Sequence, residues 1–344
     1  MIKFSKHQIL LMTLPGDLFS SPNDVEDEFR KLSVRWHPDH EHGDKDVMAK
    51  INELRGLAKE QIDNGKWEAS NSIVIPLKTG KKAKIQFRMR YDIGIGEMLI
   101  CDTCVVFVLK NGFDTMAKNI NIVDKCKFAG KRMEDEIKKY LPRVNIIRNG
   151  ANGETIVIVN LDADLFPLYG VLQYFGGKVP PKHVAWILNT LYNLCCYFSY
   201  TGVTHNSILL DTYFINPKEH SGSLLGGWWY AVPRHEPIAM VPYQIYSILP
   251  VKVKNSRIAS VETDLESIKL IGRQLLGDSS GVLLDSDKDI PEPIIQFLRD
   301  VSTNDAVREY KRWGEVLKES FGPRRFVKME IDIAKFYTMR YTFG

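Results

Sequence analysis

The tripeptide His37-Pro38-Asp39 sets an imidazole and a carboxylate on either side of a proline. The proline ring fixes its own φ, so the turn offers both polar groups with little freedom left to lose on binding. Arg30, Lys31 and Arg35 precede it, and cations so placed would steer the encounter with an acidic partner. Alone, the tripeptide reads equally well as a helix stop followed by a turn. His40 and His42 lie close by without a cysteine partner and read as loop residues, not metal ligands. Cys101-Asp102-Thr103-Cys104 has the spacing of half a zinc site. No second pair exists, so it reads as a hairpin turn with a structural cysteine pair. Trp228-Trp229-Tyr230 reads as buried packing.

The elements that must position these groups follow from periodicity. Ser21-Pro22 has the form of an N-cap with proline at the first helical position. Val25, Phe29, Leu32 and Trp36 then recur on one helical face, which the proline at 38 ends. A second helix is expected from Asp44, with Met48, Ile51 and Leu54 facing the first. Residues 63–72 turn polar and predict a short linker. Strands are expected over 84–91, 97–100 and 105–109, a helix over 128–141, and strands at 146–147 and 155–159. That order predicts a small α+β lobe. From Pro180 the pattern is helical, with Val184, Ile187, Leu188, Leu191, Leu194, Cys195 and Phe198 on a wide buried stripe. Short strands follow between 204 and 225, and helices return after Glu262.

Taken as a run, Phe29-Arg30-Lys31-Leu32-Ser33-Val34-Arg35-Trp36-His37-Pro38-Asp39 resembles the second helix and loop of a J domain. Ile51-Asn52-Glu53-Leu54 resembles the start of its third helix. The resemblance implies that Arg30, Lys31 and Arg35 dock on an acidic surface of a DnaK-type chaperone. It also implies that His37, Pro38 and Asp39 trigger ATP hydrolysis by that chaperone. The chain departs from the family in its first helix, where Leu11 to Phe19 lacks the aromatic pattern and Pro15 interrupts it.

A second resemblance rests on Gly202-Val203-Thr204-His205-Asn206-Ser207-Ile208-Leu209-Leu210-Asp211-Thr212-Tyr213-Phe214-Ile215, which is similar to a protein-kinase catalytic loop with His205 at its histidine. Leu224-Leu225-Gly226-Gly227-Trp228-Trp229-Tyr230 is similar to the metal-binding loop. In that register Lys110 falls at the phosphate-contacting strand lysine and Glu136 at its ion-pair partner, with Glu134 the other candidate. Gly94-Ile95-Gly96 falls at the glycine-rich loop, and Asp264 at the buried aspartate of the central helix. Phosphoryl transfer needs a base and carboxylate or amide groups to hold metal ions. The positions implied for them read Ser207, Thr212 and Gly227. Serine takes no proton at neutral pH and glycine offers no ligand, so no catalytic residue, metal or cofactor is expected.

The whole order resembles bacterial and phage J-domain-containing proteins with degenerate kinase lobes, and Gly322-Pro323-Arg324-Arg325-Phe326 is similar to their closing motif. Those relatives often keep Asp-Trp where this chain has Gly227-Trp228. The expected architecture is an all-α J domain at 1–67, a linker at 68–78, a kinase-like N-lobe at 79–160 and C-lobe at 161–326, and a tail at 327–344. The expected function is a co-chaperone whose pseudokinase part holds a partner or client. The alternative is an atypical nucleotide-dependent transferase using Lys110 and Glu136.

Composition bounds these readings without choosing among them. Hydrophobic residues at 44% and charged ones at 26% can build a buried core. A formal charge of +4, with pI near 8.6 and no basic block, argues against a nucleic-acid partner. No apolar run is long enough for a membrane span, and the apolar start (Ile9 to Met12) is too short for a secretory signal. Five cysteines make no disulfide framework. A reducing cytoplasm is expected, that of the host for a phage-encoded chain.

Overall fold

The first helices share a core of their own in the computed structural model, which describes residues 4, 6–12, 14–19, 21–40, 43–65, 67, 72–162 and 164–338. They are α1 (Lys6–Leu11), α2 (Pro15–Leu18), α3 (Val25–Trp36) and α4 (Lys45–Asp63). Val25 and Leu32 of α3 meet Val47, Met48, Ile51, Leu54 and Ala58 of α4, and Phe29 and Trp36 pack on the rim. The predicted helix pair is therefore present. Pro15 does not interrupt a helix here. It begins α2, where a missing N–H costs nothing, and Leu18 and Phe19 join the same core. Glu26 on α3 takes both Arg55 and Lys59 of α4, and the Arg55 guanidinium lies 4.0 Å above the Phe29 ring.

The linker expected at 68–78 is corrected by the structure. Residues 68–71 lie outside the described residues, and β1 (Ser72–Pro76) pairs with β2 (Lys82–Gln86) as a hairpin. Its β-branched Ile73, Val74 and Ile75 suit a pleated, half-buried surface. Ile75, Leu77 and Ile85 cover Leu99, Val106 and Ile156 on the outer face of the main sheet. The single strand expected over 84–91 is two strands with different partners, β2 and β3 (Met89–Asp92).

The main sheet is antiparallel, in the order β3, β4 (Gly96–Ile100), β5 (Cys104–Leu109), β7 (Thr155–Asn160), β6 (Val144–Asn149). Alternation divides β5 between two cores: Val105, Phe107 and Leu109 face inward, while Val106 and Val108 face the β1–β2 hairpin. Between β5 and β6 come α5 (Asp114–Ala117), a 3₁₀ stretch, α6 (Lys131–Ile137) and a closing 3₁₀ turn at Lys138–Tyr140. The expected helix over 128–141 is thus shorter, bounded by Gly130 before it and Leu141-Pro142 after it.

The helical part follows β8 (Phe166–Pro167) and α7 (Leu168–Tyr174). Its axis is α8 (Pro181–Thr201), opened by proline at its first position and closed by Gly202 at φ +71°. Then come β9 (Val203–Thr204), β10 (Tyr213–Asn216), β11 (Ser221–Leu224) and β12 (Val232–Pro233). After them come α9 (Tyr243–Ile248), α10 (Val251–Ser256), α11 (Val261–Leu275), α12 (Glu292–Arg299) and α13 (Ala306–Phe321). Fully buried Lys269 on α11 pairs with fully buried Glu309 on α13 at 3.0 Å and also donates to the Asp300 carbonyl at 2.8 Å. Removing one partner of such a pair strands a charge, at a cost of about 3–5 kcal/mol.

Residues 327–338, expected as a tail, return to the body of the protein. They end in α14 (Ile333–Thr338), and Met329 and Phe336 are buried in the main core. Among the described residues no helix is long and apolar enough to cross a membrane.

Candidate functional site

The His37-Pro38-Asp39 turn lies in the loop that joins α3 to α4. Its backbone is closed at several points: His37 N–H donates to Ser33 O at 2.9 Å, His40 N–H to His37 O at 3.0 Å, and Asp44 N–H to Trp36 O at 3.1 Å. Asp44 caps α4 by accepting from the amides of Asp46 and Val47 at 3.0 and 3.1 Å, and it also pairs with Lys6. Gly43 passes so near the His37 carbonyl that any Cβ there would collide with it, so glycine is what lets the turn close. The His37 and Asp39 side chains are 48% and 87% exposed, with Nδ1 and Oδ2 3.5 Å apart. Arg30, Lys31 and Arg35 are exposed on α3, and the Arg35 guanidinium lies 5.1 Å above the Trp36 ring. These three cations and the side chains of the turn are all open to solvent. Of the nearby histidines, His40 is an exposed turn residue and His42 lies outside the described residues.

The second candidate lies between sheet and helices. Asp264, near the start of α11, accepts from the backbone amides of His205 and Asn206, each at 2.8 Å. Burial pushes its pKa up to about 7 while those two donors pull it down. His205 is fully buried between Phe198 and Trp228, and burial lowers its imidazole to about 3. Thr212 spends its hydroxyl on the loop itself, donating toward Ser207 O at 2.8 Å and accepting from Leu209 N–H at 2.8 Å. Gly227 adopts φ +79°, and a Cβ there would stand 2.8 Å from His205 Cε1 and 2.8 Å from Ser207 Oγ. Position 227 thus lacks both a metal ligand and the room for one.

Other matched positions are not brought together. Lys110 is exposed and donates to the Gly94 carbonyl at 2.6 Å, while Glu136 pairs with Arg132 one turn back at 3.1 Å. The Lys110–Glu136 ion pair implied by the kinase resemblance is therefore corrected. Lys110 follows the last residue of β5 and is out of phase with the inward-facing Val105, Phe107 and Leu109. Glu134, the other candidate, pairs with Lys131 and Lys138. Gly94 and Gly96 do lie in the β3–β4 turn, but its amides are used within it: Gly94 N–H donates to Asp92 Oδ1 at 2.6 Å and Ile95 N–H to Ile93 O at 2.9 Å.

A residue not singled out from sequence packs over the loop. Phe107 faces it from β5, 5.0 Å from the Trp229 ring, and a Cβ on Gly226 would stand 3.1 Å from its ring. The alternation of β5 was a signal for its inward direction; what it meets was not in the sequence. Phe336 packs 4.9 Å from Phe166 and against Gly170. One apolar core runs from Met98 and Phe107 through Leu210, Leu225 and Trp228 to Phe336. Two open depressions lie elsewhere on the described residues. One, of about 520 Å³, is between α6 and α8; the other, of about 400 Å³, lies beside residues 328–333.

A sheet-rich lobe with α5 and α6 inserted between β5 and β6, joined to a helical lobe whose central aspartate holds the loop after α8, is a protein-kinase-like fold. One solved structure agrees. The structure of vaccinia related kinase 3 matches with a TM-score of 0.51 at 12% identity, covering 73% of this chain and 91% of that one. The BubR1 kinase domain matches at a TM-score of 0.44 and 8% identity, over 68% of this chain and 84% of that one. No family model matches the chain, and no curated protein matches it.

Proposed function

We propose that this chain is a J-domain co-chaperone, with a catalytically inactive kinase-like part that serves as a platform for a partner or client. The observation that carries the reading is the exposed His37-Pro38-Asp39 turn, closed at the end of the α3–α4 pair beside Arg30, Lys31 and Arg35. Its partner is a DnaK-type chaperone with an acidic docking surface, met in the cytoplasm where such chaperones work. Cations on one face raise the association rate, and a closed turn limits the ordering cost on docking. The unit 1–67 is the J domain in this reading. The kinase-like part binds protein through its surface in this reading, since sheet and helices share one apolar core in which Phe107 packs on Trp229. A transferase reading draws on the fold alone, and the crowding at Gly227 and the separated Lys110 and Glu136 weigh against it.

The test is the ATPase rate of a bacterial DnaK-type chaperone with and without the full chain. Stimulation is expected, with near-complete loss in His37→Gln and a partial, salt-mimicked loss in Arg30→Ala and Arg35→Ala. Equal rates with wild type and His37→Gln would remove the co-chaperone assignment.

A further inference from the structure

The turn between β4 and β5 carries two thiols in a setting unlike that of the other cysteines. One step beyond the Ile100–Val105 pair of the ladder, Cys101 faces Cys104, and the Cys101 amide donates to the Cys104 carbonyl at 2.8 Å. Residues paired in this way hold their Cα atoms about 5.5 Å apart, inside the roughly 4.4–6.8 Å that a disulfide spans. Their Cβ atoms, about 4.5–5.5 Å apart in such pairs, must draw together somewhat to bond. A bridge closed under that strain is easily reduced again.

Both turn residues are pinned, so closure has little left to order. Asp102 pairs with Arg88, whose guanidinium lies 4.9 Å above the Tyr337 ring of α14, and the Thr103 carbonyl accepts the Leu161 amide at 2.9 Å. The Cys101 thiol donates toward the Leu99 carbonyl at 3.9 Å, and Cys104 packs in the same apolar cluster. The proximity of the two thiols brings Cys104 down to about 7 and, with burial, holds Cys101 well above an ordinary thiol. A thiol with a pKa near the ambient pH is the best attacking nucleophile. Burial instead raises Cys126, Cys195 and Cys196, which removes their thiolates at neutral pH.

We propose that Cys101 and Cys104 form a redox-active dithiol, oxidised to an intramolecular disulfide by low-molecular-weight disulfides of the glutathione class and reduced by the corresponding thiols. The Cys104 thiolate attacks one sulfur of the small disulfide, forming a mixed disulfide and expelling a first small thiolate, which takes up a proton. With the charge on Cys104 gone, the Cys101 thiol loses its proton and attacks the Cys104 sulfur. A second small thiol leaves. Two protein thiols are oxidised and one small disulfide is reduced to two thiols. This step is independent of chaperone binding.

The experiment treats the folded full-length chain with oxidised glutathione, quenches with acid, alkylates, and maps the products by mass spectrometry. The expected result is the loss of two hydrogens, localised to a Cys101–Cys104 link and reversed by reduced glutathione. Cys101→Ser should stop at glutathione attached to Cys104, and Cys104→Ser should react about tenfold more slowly or less. Unreacted thiols, glutathione retained on wild-type Cys104, or a link to Cys126 or Cys196 would each overturn the proposal. The mapping of wild-type protein decides the matter even where a variant folds poorly.

Discussion

His205 shows how one buried side chain couples the kinase-like part to pH. Burial lowers its imidazole to about 3, whereas the unfolded chain protonates it near about 6.5. Its contribution to stability is therefore complete above pH about 6.5 and is lost as the pH falls toward about 3. Asp264, raised to about 7, works in the opposite sense: its contribution is complete below pH about 4 and is lost as the pH rises through about 7. Replacing His205 removes one of the two opposing trends. Between pH about 7 and about 4.5, His205→Leu should lose about 2–3 kcal/mol less stability than wild type, at about 1.4 kcal/mol per proton per pH unit. Urea unfolding at the two pH values reads the difference. Parallel losses in the two proteins would mean that a buried neutral imidazole is not part of the acid response.

Among the elements, α14 carries the clearest consequence for stability. A short helix with little propensity of its own is held by what it buries. Phe336 is fully buried against Phe166, Tyr174 and Gly170, so Phe336→Ala should cost about 3–5 kcal/mol in urea unfolding. A loss below about 1 kcal/mol would place residues 333–338 outside the cooperative core. The α3–α4 pair was legible in sequence because its apolar spacing is local and Asp44 caps α4 as its position predicts. Yet α3 begins at Val25 after Asp24 and not at Pro22, which lies in a preceding turn. The helix α14 was not legible, since Phe336 finds its partners some 160 residues earlier, in β8 and α7. For the same reason β1 read as linker: its polar neighbours are local, while the sheet face that it covers is distant.

At the scale of the whole molecule, the sheet and the helical lobe share one apolar core. A nucleotide reaching the loop at Gly226 and Gly227 would meet the packed Phe107 and Trp229 rings and no acidic side chain at 227. Mg-ATP is accordingly expected to leave the thermal midpoint unchanged, within about 1 °C where 1 kcal/mol corresponds to about 2–4 °C. Gly227→Asp supplies the missing ligand type but places a Cβ against His205 and Ser207 at a positive φ, so it should lower the midpoint and bring no nucleotide response. A midpoint raised by several degrees with Mg-ATP would reopen the transferase reading.

The sequence by itself determined the helix pair with its His-Pro-Asp turn, and a sheet-rich part followed by a helical one. All of these are written in residue identity or in spacing over a few turns of chain. Tertiary structure alone decided that Lys110 and Glu136 have other partners, that Phe107 packs on Trp229 and Phe336 joins the main core, and that a side chain at Gly227 would collide with His205 and Ser207. Spacing and alternation give the direction in which a side chain points. What it meets there depends on chain segments brought close only by folding, and burial then sets which groups keep their charge.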